Sequence, residues 1–251
     1  MPHGAYPPQP SQPPPQPPAR RSDAGQIRLT HRDITGLELV AQMYAAPYDL
    51  LAVGLGVTEA RVRGILARWR RAGLADSGIF SAGPAWCWTT QQGLCRLGYP
   101  WTAEPPALSR LARTRAVLAC RLWLESGETW QKWLARWRCE RQIRAADTPG
   151  AGMSGHMPAA EVIWPTLEGS PRSGESWAVD VALTPEPLTG TQAILSGLLA
   201  QPYSHVIYLC SPAIIAVVSH AARQLPPEQA ARVTVQPVPS AALTPRATPS
   251  E

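Results

Sequence analysis

Two nearby stretches carry the side chains that could do hydrolytic chemistry. "HMPAAEVIWP", residues 156–165, runs through Pro158 and two alanines to a lone acid, Glu161. "SWAVDVALTP", residues 176–185, reads as a buried strand with a single carboxylate, Asp180. Metal-dependent phosphodiester cleavage uses clustered carboxylates to hold Mg²⁺, with a basic group or metal to activate water and offset developing charge. Acids before and within successive strands give the frame of such a centre with pieces missing, because the chain has one lysine, Lys132, and none near these strands. Taken alone, Asp180 reads as a strand-end acid paired with Arg141 or Arg144. The histidines add no second chemistry: His156 precedes a strand in a glycine-rich loop, and His205 and His220 are isolated, each expected to be satisfied locally. No Ser/His/Asp arrangement, glycine-rich phosphate loop or dinucleotide fingerprint is present.

A different chemistry is offered by "TEARVRGILARWRRAG", residues 58–73. Thr58 stands where a helix N-cap is wanted and Gly73 where a helix-terminating glycine is wanted. Val62, Ile65, Leu66 and Trp69 form an apolar stripe that must face a core. Arg61 and Arg68 fall on one flank of it and Arg63 and Arg70 on the other, while Ala60, Gly64, Ala67 and Arg71 lie opposite the core. A ridge of small residues bordered by guanidinium groups can enter a groove deeply. Gly64 costs about 1 kcal/mol relative to alanine in a helix interior, which makes sense where something approaches the backbone closely. An ordinary solvated arginine-rich face is the alternative. Thr58, Arg61, Arg63, Gly64, Arg68, Arg70 and Arg71 are the expected contacts to double-stranded DNA. With no asparagine or glutamine on that face, phosphate positioning should outweigh base readout, and binding should depend strongly on salt.

The elements that must position these groups are bounded by composition. With 251 residues and 45% hydrophobic content, the chain can build one large core or two smaller ones. The first 22 residues hold nine prolines and no branched aliphatic side chain, too little apolar surface to offset ordering entropy. Residues 1–27 and 240–251 are expected to be disordered tails. No signal-peptide-like stretch and no uninterrupted apolar run of membrane-spanning length is present, so a cytoplasmic protein without membrane contact is expected. Five cysteines, never spaced as CxxC, indicate reduced packing residues rather than disulfides or zinc. Up to residue 150 there are 19 basic against 11 acidic side chains, and beyond it 4 against 7. Positive charge on the first part suits polyanions, and the acidic part suits a separate protein partner.

Along the chain, residues 28–103 read as helix, short helix, turn and helix, followed by two short runs, Gly78–Phe80 and Trp86–Trp88, joined by "SAGP" as a β-wing. Helix-turn-helix plus hairpin is a winged-helix arrangement, whose third helix enters the major groove. Residues 104–138 read as a helical connector: a long helix ending at Gly127, then a continuing helix with Trp130, Trp133, Leu134 and Trp137 as its packing stripe. Residues 139–239 alternate strands ("RCERQIRA", "AAEVIW", "SWAVDVAL", "SHVIYLC", "ARVTVQPV") with helices at 188–200 and 212–224. The fold class expected is therefore α+β or α/β: a winged helix followed by a mixed α/β domain.

The order "W..W…ERQIR", "HMPAAEVIW", "WAVDVALTPEP" resembles the replication-relaxation family of plasmid and mobile-element proteins of actinobacteria and bacilli. That resemblance implies an N-terminal winged helix joined to a domain like the PD-(D/E)XK nucleases, spanning roughly residues 30–239. In the family the motif proline is followed by aspartate, the next strand carries two acids one residue apart, and a lysine often follows. This chain keeps Glu140, on the first expected strand, and Asp180, but has Ala159 and Ala182 at the other acidic positions. Glu161 lies two residues from Ala159, about 6.6 Å along a strand, and is the remaining candidate substitute.

Glu140, Glu161 and Asp180 are thus expected as vestiges, with no catalytic residue, no bound metal and no cofactor. The expected function is non-enzymatic DNA binding in plasmid or mobile-element replication, relaxation or transfer. Two rivals remain: a Mg²⁺-dependent endonuclease with a reduced active site, and a protein-interaction module or transcriptional regulator whose helix never meets DNA.

Overall fold

The computed structural model describes residues 28–80, 83–146 and 156–239. Both expected tails lie outside the described residues. Helix α1 (His31–Gln42) starts at Thr30, whose hydroxyl accepts the Asp33 N–H at 3.3 Å while the Asp33 carboxylate accepts the Thr30 N–H at 2.8 Å. This reciprocal pair satisfies donors a helix start otherwise leaves open. After strand β1 (Ala46–Pro47), α2 (Tyr48–Leu55) ends at Gly56, which has a left-handed φ of 63°. Helix α3 (Glu59–Arg71) then begins at Thr58, whose hydroxyl accepts the Arg61 N–H at 3.3 Å. The expected stripe of Val62, Ile65, Leu66 and Trp69 is buried.

A hairpin follows, β2 (Ala75–Gly78) and β3 (Trp86–Thr89), and with β1 it makes a three-stranded antiparallel sheet in the order β1-β3-β2. Its first strand starts three residues earlier than the aromatic content of "GIF" suggests. The register pairs Ala75 with Thr89, so the buried anchor is Ala75, while Ile79 projects into solvent. The short α4 (Gln91–Arg96), capped by Thr90, was not anticipated from the sequence. It lies so close to the preceding chain that a Cβ at Gly93 would come within 2.0 Å of the Leu74 carbonyl oxygen, and only glycine fits.

Two helices lead to a second sheet, α5 (Leu108–Ser126) and α6 (Glu128–Trp133). The expected continuous tryptophan stripe is interrupted: Leu134 takes a left-handed φ of 54° and is 65% exposed, which ends α6. Trp137 consequently belongs to strand β4 (Arg136–Cys139), where it is buried. The expected strand "RCERQIRA" is corrected as well. Pairing stops at Cys139 opposite Ala160, the Cys139 N–H donates to Gln142 Oε1 at 2.9 Å, and Glu140 opens α7 (Glu140–Ala146) instead of lying on a strand. On α5, Leu108 is exposed, whereas Leu111, Leu118 and Leu122 are buried.

Beyond these come β5 (Ala160–Ile163), β6 (Ser176–Ala182), α8 (Leu188–Leu199), β7 (His205–Cys210), α9 (Ile215–Arg223), the single turn α10 (Pro227–Ala230) and β8 (Val233–Pro237). The five strands are ordered β4-β5-β6-β7-β8, with β4, β5 and β6 antiparallel and β6, β7 and β8 parallel. The fold is thus mixed α+β, with helices and two sheets. Residues of α8 and α9 cover one face of the large sheet against Ala178, Val206, Tyr208 and Cys210. The other face, through Val162, Val179, Val181, Ile207 and Leu209, joins the same buried cluster as α5 and as Leu37, Leu51 and Trp69 of the first helices. Cys87, Cys120, Cys139 and Cys210 are buried packing residues, but Cys95 is exposed. Burial pushes the Cys87 and Cys120 thiols up to about 12. No helix among the described residues is long and apolar enough to cross a membrane.

Candidate nucleic-acid interface

The outward side of α3 is open. Ala60, Arg61, Arg63, Gly64, Ala67, Arg70 and Arg71 are exposed, and a Cβ built at Gly64 meets nothing within 4 Å. Two arginines carry light internal pairings: Arg63 reaches Glu59 at 2.8 Å and Arg70 reaches Asp76 of β2 at 3.3 Å, in both cases with both partners solvated. Such exposed pairs contribute about 0–1 kcal/mol and can exchange for phosphate. Among the described residues the side chain of Arg61 makes no ion pair and that of Arg71 bonds only the Ala67 carbonyl, at 3.3 Å. Beside Arg70 and Arg71 a concavity of about 620 Å³ is lined by Ala67, Gly73 and Thr90. Thr58 spends its hydroxyl on the cap of α3.

Arg68 has a different role from its neighbours. Its guanidinium bonds the Asp33 carboxylate, which also accepts from Trp69 Nε1 at 2.8 Å and is 1% exposed. Burial pushes the Asp33 carboxyl up, but hydrogen bonds from Thr30, Trp69 and Arg68 outweigh it and leave the group below its ordinary 3.8. Arg68 is therefore a bolt between α3 and the start of α1, with its remaining surface at the edge of the arginine face. Sequence spacing placed it correctly on a flank but could not reveal the buried acid 35 positions upstream that claims it.

The three acids expected as vestiges are all engaged by cations. Asp180, 1% exposed on β6, accepts Arg113 Nη2 of α5 at 2.6 Å and meets His156 Nε2 at 2.6 Å. Arg113 also donates to the Val181 carbonyl at 2.8 Å. Glu161, buried on β5, accepts Arg138 Nη1 of β4 at 2.8 Å and the Tyr203 hydroxyl at 2.5 Å. Glu140, at the start of α7, accepts Arg110 at 2.8 Å and Arg144 at 2.6 Å. Glu161 is paired across the sheet with Ala178, two residues before Asp180, so these two acids share one face as diagonal neighbours, about 7–8 Å apart. Glu161 and Asp180 thus lie on neighbouring strands while Glu140 opens a helix, and the oxygens of all three face arginine, tyrosine or histidine donors. Among the described residues no group of three His, Cys, Asp or Glu side chains is placed to hold a metal ion.

Asp180 does not pair with Arg141 or Arg144. Arg144 serves Glu140, and Arg141 lies over the Tyr44 ring at 4.0 Å and the Trp101 ring at 5.3 Å. The true partners were missed for two reasons. Arg113 is 67 residues upstream, with no local signal. His156 had one, its position two residues before Pro158, but histidine in a glycine-rich segment carries little weight by itself. The hydrogen bond to Asp180 raises His156 above its ordinary 6.5, against the opposing effect of burial. His205 is held by Thr234 Oγ1 at 2.8 Å.

Comparison with protein-family models, with curated proteins and with solved structures finds no match to this chain.

Proposed function

We propose that this protein is a non-enzymatic DNA-binding protein whose first three helices and small sheet act as a winged helix. The order α1-β1-α2-α3-β2-β3, with the hairpin following the third helix, supports this reading. The observation that carries it is the exposed ridge of α3, where Ala60, Gly64 and Ala67 lie among Arg61, Arg63, Arg70 and Arg71 and are left exposed among the described residues. Guanidinium groups on long stems fit phosphate in a bidentate manner, and small residues between them let the helix axis approach a groove. A setting in plasmid or mobile-element replication, relaxation or transfer rests on the resemblance of the sequence motifs alone.

The later α/β domain acts in this reading as a nuclease-like scaffold without chemistry. Mg²⁺ wants six oxygen ligands in near-octahedral geometry, several of them carboxylate or water. The oxygens offered here are already hydrogen-bonded to Arg113, His156, Arg138, Tyr203, Arg110 and Arg144. That donor set does not fit a metal centre, and no cleavage step is derived from it. The test is a gel shift of the full chain on its own neighbouring DNA and on an unrelated duplex at two salt concentrations, run beside a supercoiled-plasmid assay with Mg²⁺ or Mn²⁺. Salt-sensitive shifts with intact plasmid are expected. Nicking that disappears in Asp180→Ala would replace this reading with the endonuclease, and a flat titration at low salt would favour the protein-interaction module.

A further inference from the structure

A cleft of about 840 Å³ opens where the C-terminal end of α5 and α6 face the strand starts of β6 and β7 and the middle of β8, on the face of the sheet that α5 covers. It falls within the size range of small-molecule sites. Its walls are aromatic: Trp123, Trp130, Trp164 and Trp177. The Arg172 guanidinium lies over two of these rings, 4.2 Å from the Trp177 centroid and 5.0 Å from that of Trp164. Stacking holds the group in place without using its N–H donors. Among the described residues no carboxylate or carbonyl accepts from that guanidinium. Glu175 at the same cleft instead accepts the Trp177 indole N–H at 2.7 Å. On β8 the side-chain amide of Gln236 also lines the cleft, with no hydrogen-bond partner among the described residues.

These features select a ligand by elimination. A cationic or quaternary ammonium guest, the usual occupant of a tryptophan box, would be repelled by Arg172, which already covers two of the indole faces. A purely apolar guest would shield the Arg172 donors and the Gln236 amide from water without pairing them. A bare inorganic anion would leave the indole walls and most of the volume unused. A flat heteroaromatic ring bearing a phosphate uses all three elements: stacking on tryptophan, paired hydrogen bonds to an amide, and charge-assisted bonds to a guanidinium.

We propose that this cleft is a nucleotide site, taking one nucleobase against Trp123 and Trp130 and its phosphate on Arg172. The site is separate from α3 and does not depend on duplex binding. A free mononucleotide and one unpaired nucleotide of a single strand share this chemistry.

The test is tryptophan fluorescence of the full-length protein titrated with deoxyadenosine monophosphate, with deoxyadenosine, and with a short single strand of deoxyadenosine. Saturable quenching by the monophosphate is expected. Deoxyadenosine and the Arg172→Gln variant should each bind about tenfold more weakly or worse. Trp123→Ala, a change at a partly exposed ring, should weaken both nucleotide probes. Quenching by both the monophosphate and the strand supports a free-nucleotide site. Quenching by the strand alone, with the same Arg172 dependence, supports the site and assigns its source to single-stranded DNA. Circular dichroism of each variant identifies any loss that comes from unfolding, and Trp123→Ala keeps the proposal testable if Arg172→Gln fails to fold. No saturable quenching by either probe, or quenching indifferent to both substitutions, overturns it.

Discussion

Asp33 shows how one buried acid can decide what a nearby surface arginine does. It is claimed by Thr30, Trp69 and Arg68 together, so it caps one helix and fastens another. Removing Arg68 takes from a buried carboxylate its one cation among the described residues, and Arg68→Ala should therefore lower unfolding stability by about 1–3 kcal/mol in a urea titration. Arg61→Ala, on a side chain with no partner among the described residues, should leave stability within about 0.5 kcal/mol. His156 is the second such residue. Its folded-state value lies above 6.5, so the folded chain holds the proton more tightly than the unfolded chain does. The stabilisation from its pairing with Asp180 is complete below that ordinary value and fades as pH rises through the raised one. His205 is shifted the other way, lowered by burial and by Arg172, so its contribution is complete above 6.5 and fades as pH falls. Comparing wild type with His156→Gln isolates the first effect: the stability gap should be wider at mildly acidic pH than at mildly basic pH. A gap independent of pH would contradict the ion pair.

At the scale of the element, α3 carries a tension between stability and use. Gly64 has open space where a methyl group would go, so nothing in the folded chain requires glycine there. Gly64→Ala should stabilise the protein by about 1 kcal/mol through helix propensity, while a larger Gly64→Leu should weaken duplex binding by standing the helix off the groove. Equal binding by both variants would show that the ridge is only a solvated face.

The same helix marks what was legible in the sequence. Its period-3.6 stripe and its Thr58 cap could be read because both are local, and the apolar runs of β5, β6 and β7 announced themselves for the same reason. The end of α6 could not be read, because it depends on a leucine, Leu134, taking a left-handed turn that leucine rarely adopts. Glu140 was misplaced on a strand because the boundary with α7 is set by where β5 stops pairing, which is a tertiary fact. Of the candidate site, the acids were visible and their cations were not, since Arg113, Arg138 and Arg110 reach them from other elements.

For the whole molecule, α5 is the member that makes one body of two sheets. Arg115 forks onto Asp49 of α2, with one arm at 2.9 Å, and Arg121 reaches Gln42 of α1 at 2.7 Å. From the same helix Arg113 holds Asp180 and Arg110 holds Glu140. With a single apolar cluster running beneath them, the helical part and the large sheet should unfold in one cooperative transition, with coincident far-ultraviolet circular dichroism and tryptophan fluorescence curves. Two separated transitions would show that α5 belongs to one part alone.

The central claim, that exposed guanidinium groups of α3 lie on the phosphates of a duplex, is tested most directly by fluorescence anisotropy of a labelled duplex across a salt series. Wild type is compared with the combined Arg61→Ala, Arg63→Ala and Arg71→Ala variant. The log affinity should fall linearly with log salt, and the folded variant should lose about 3 from the magnitude of that slope, to a similar extent on unrelated sequences. An unchanged slope in a folded variant, or no binding by wild type at low salt, would contradict it.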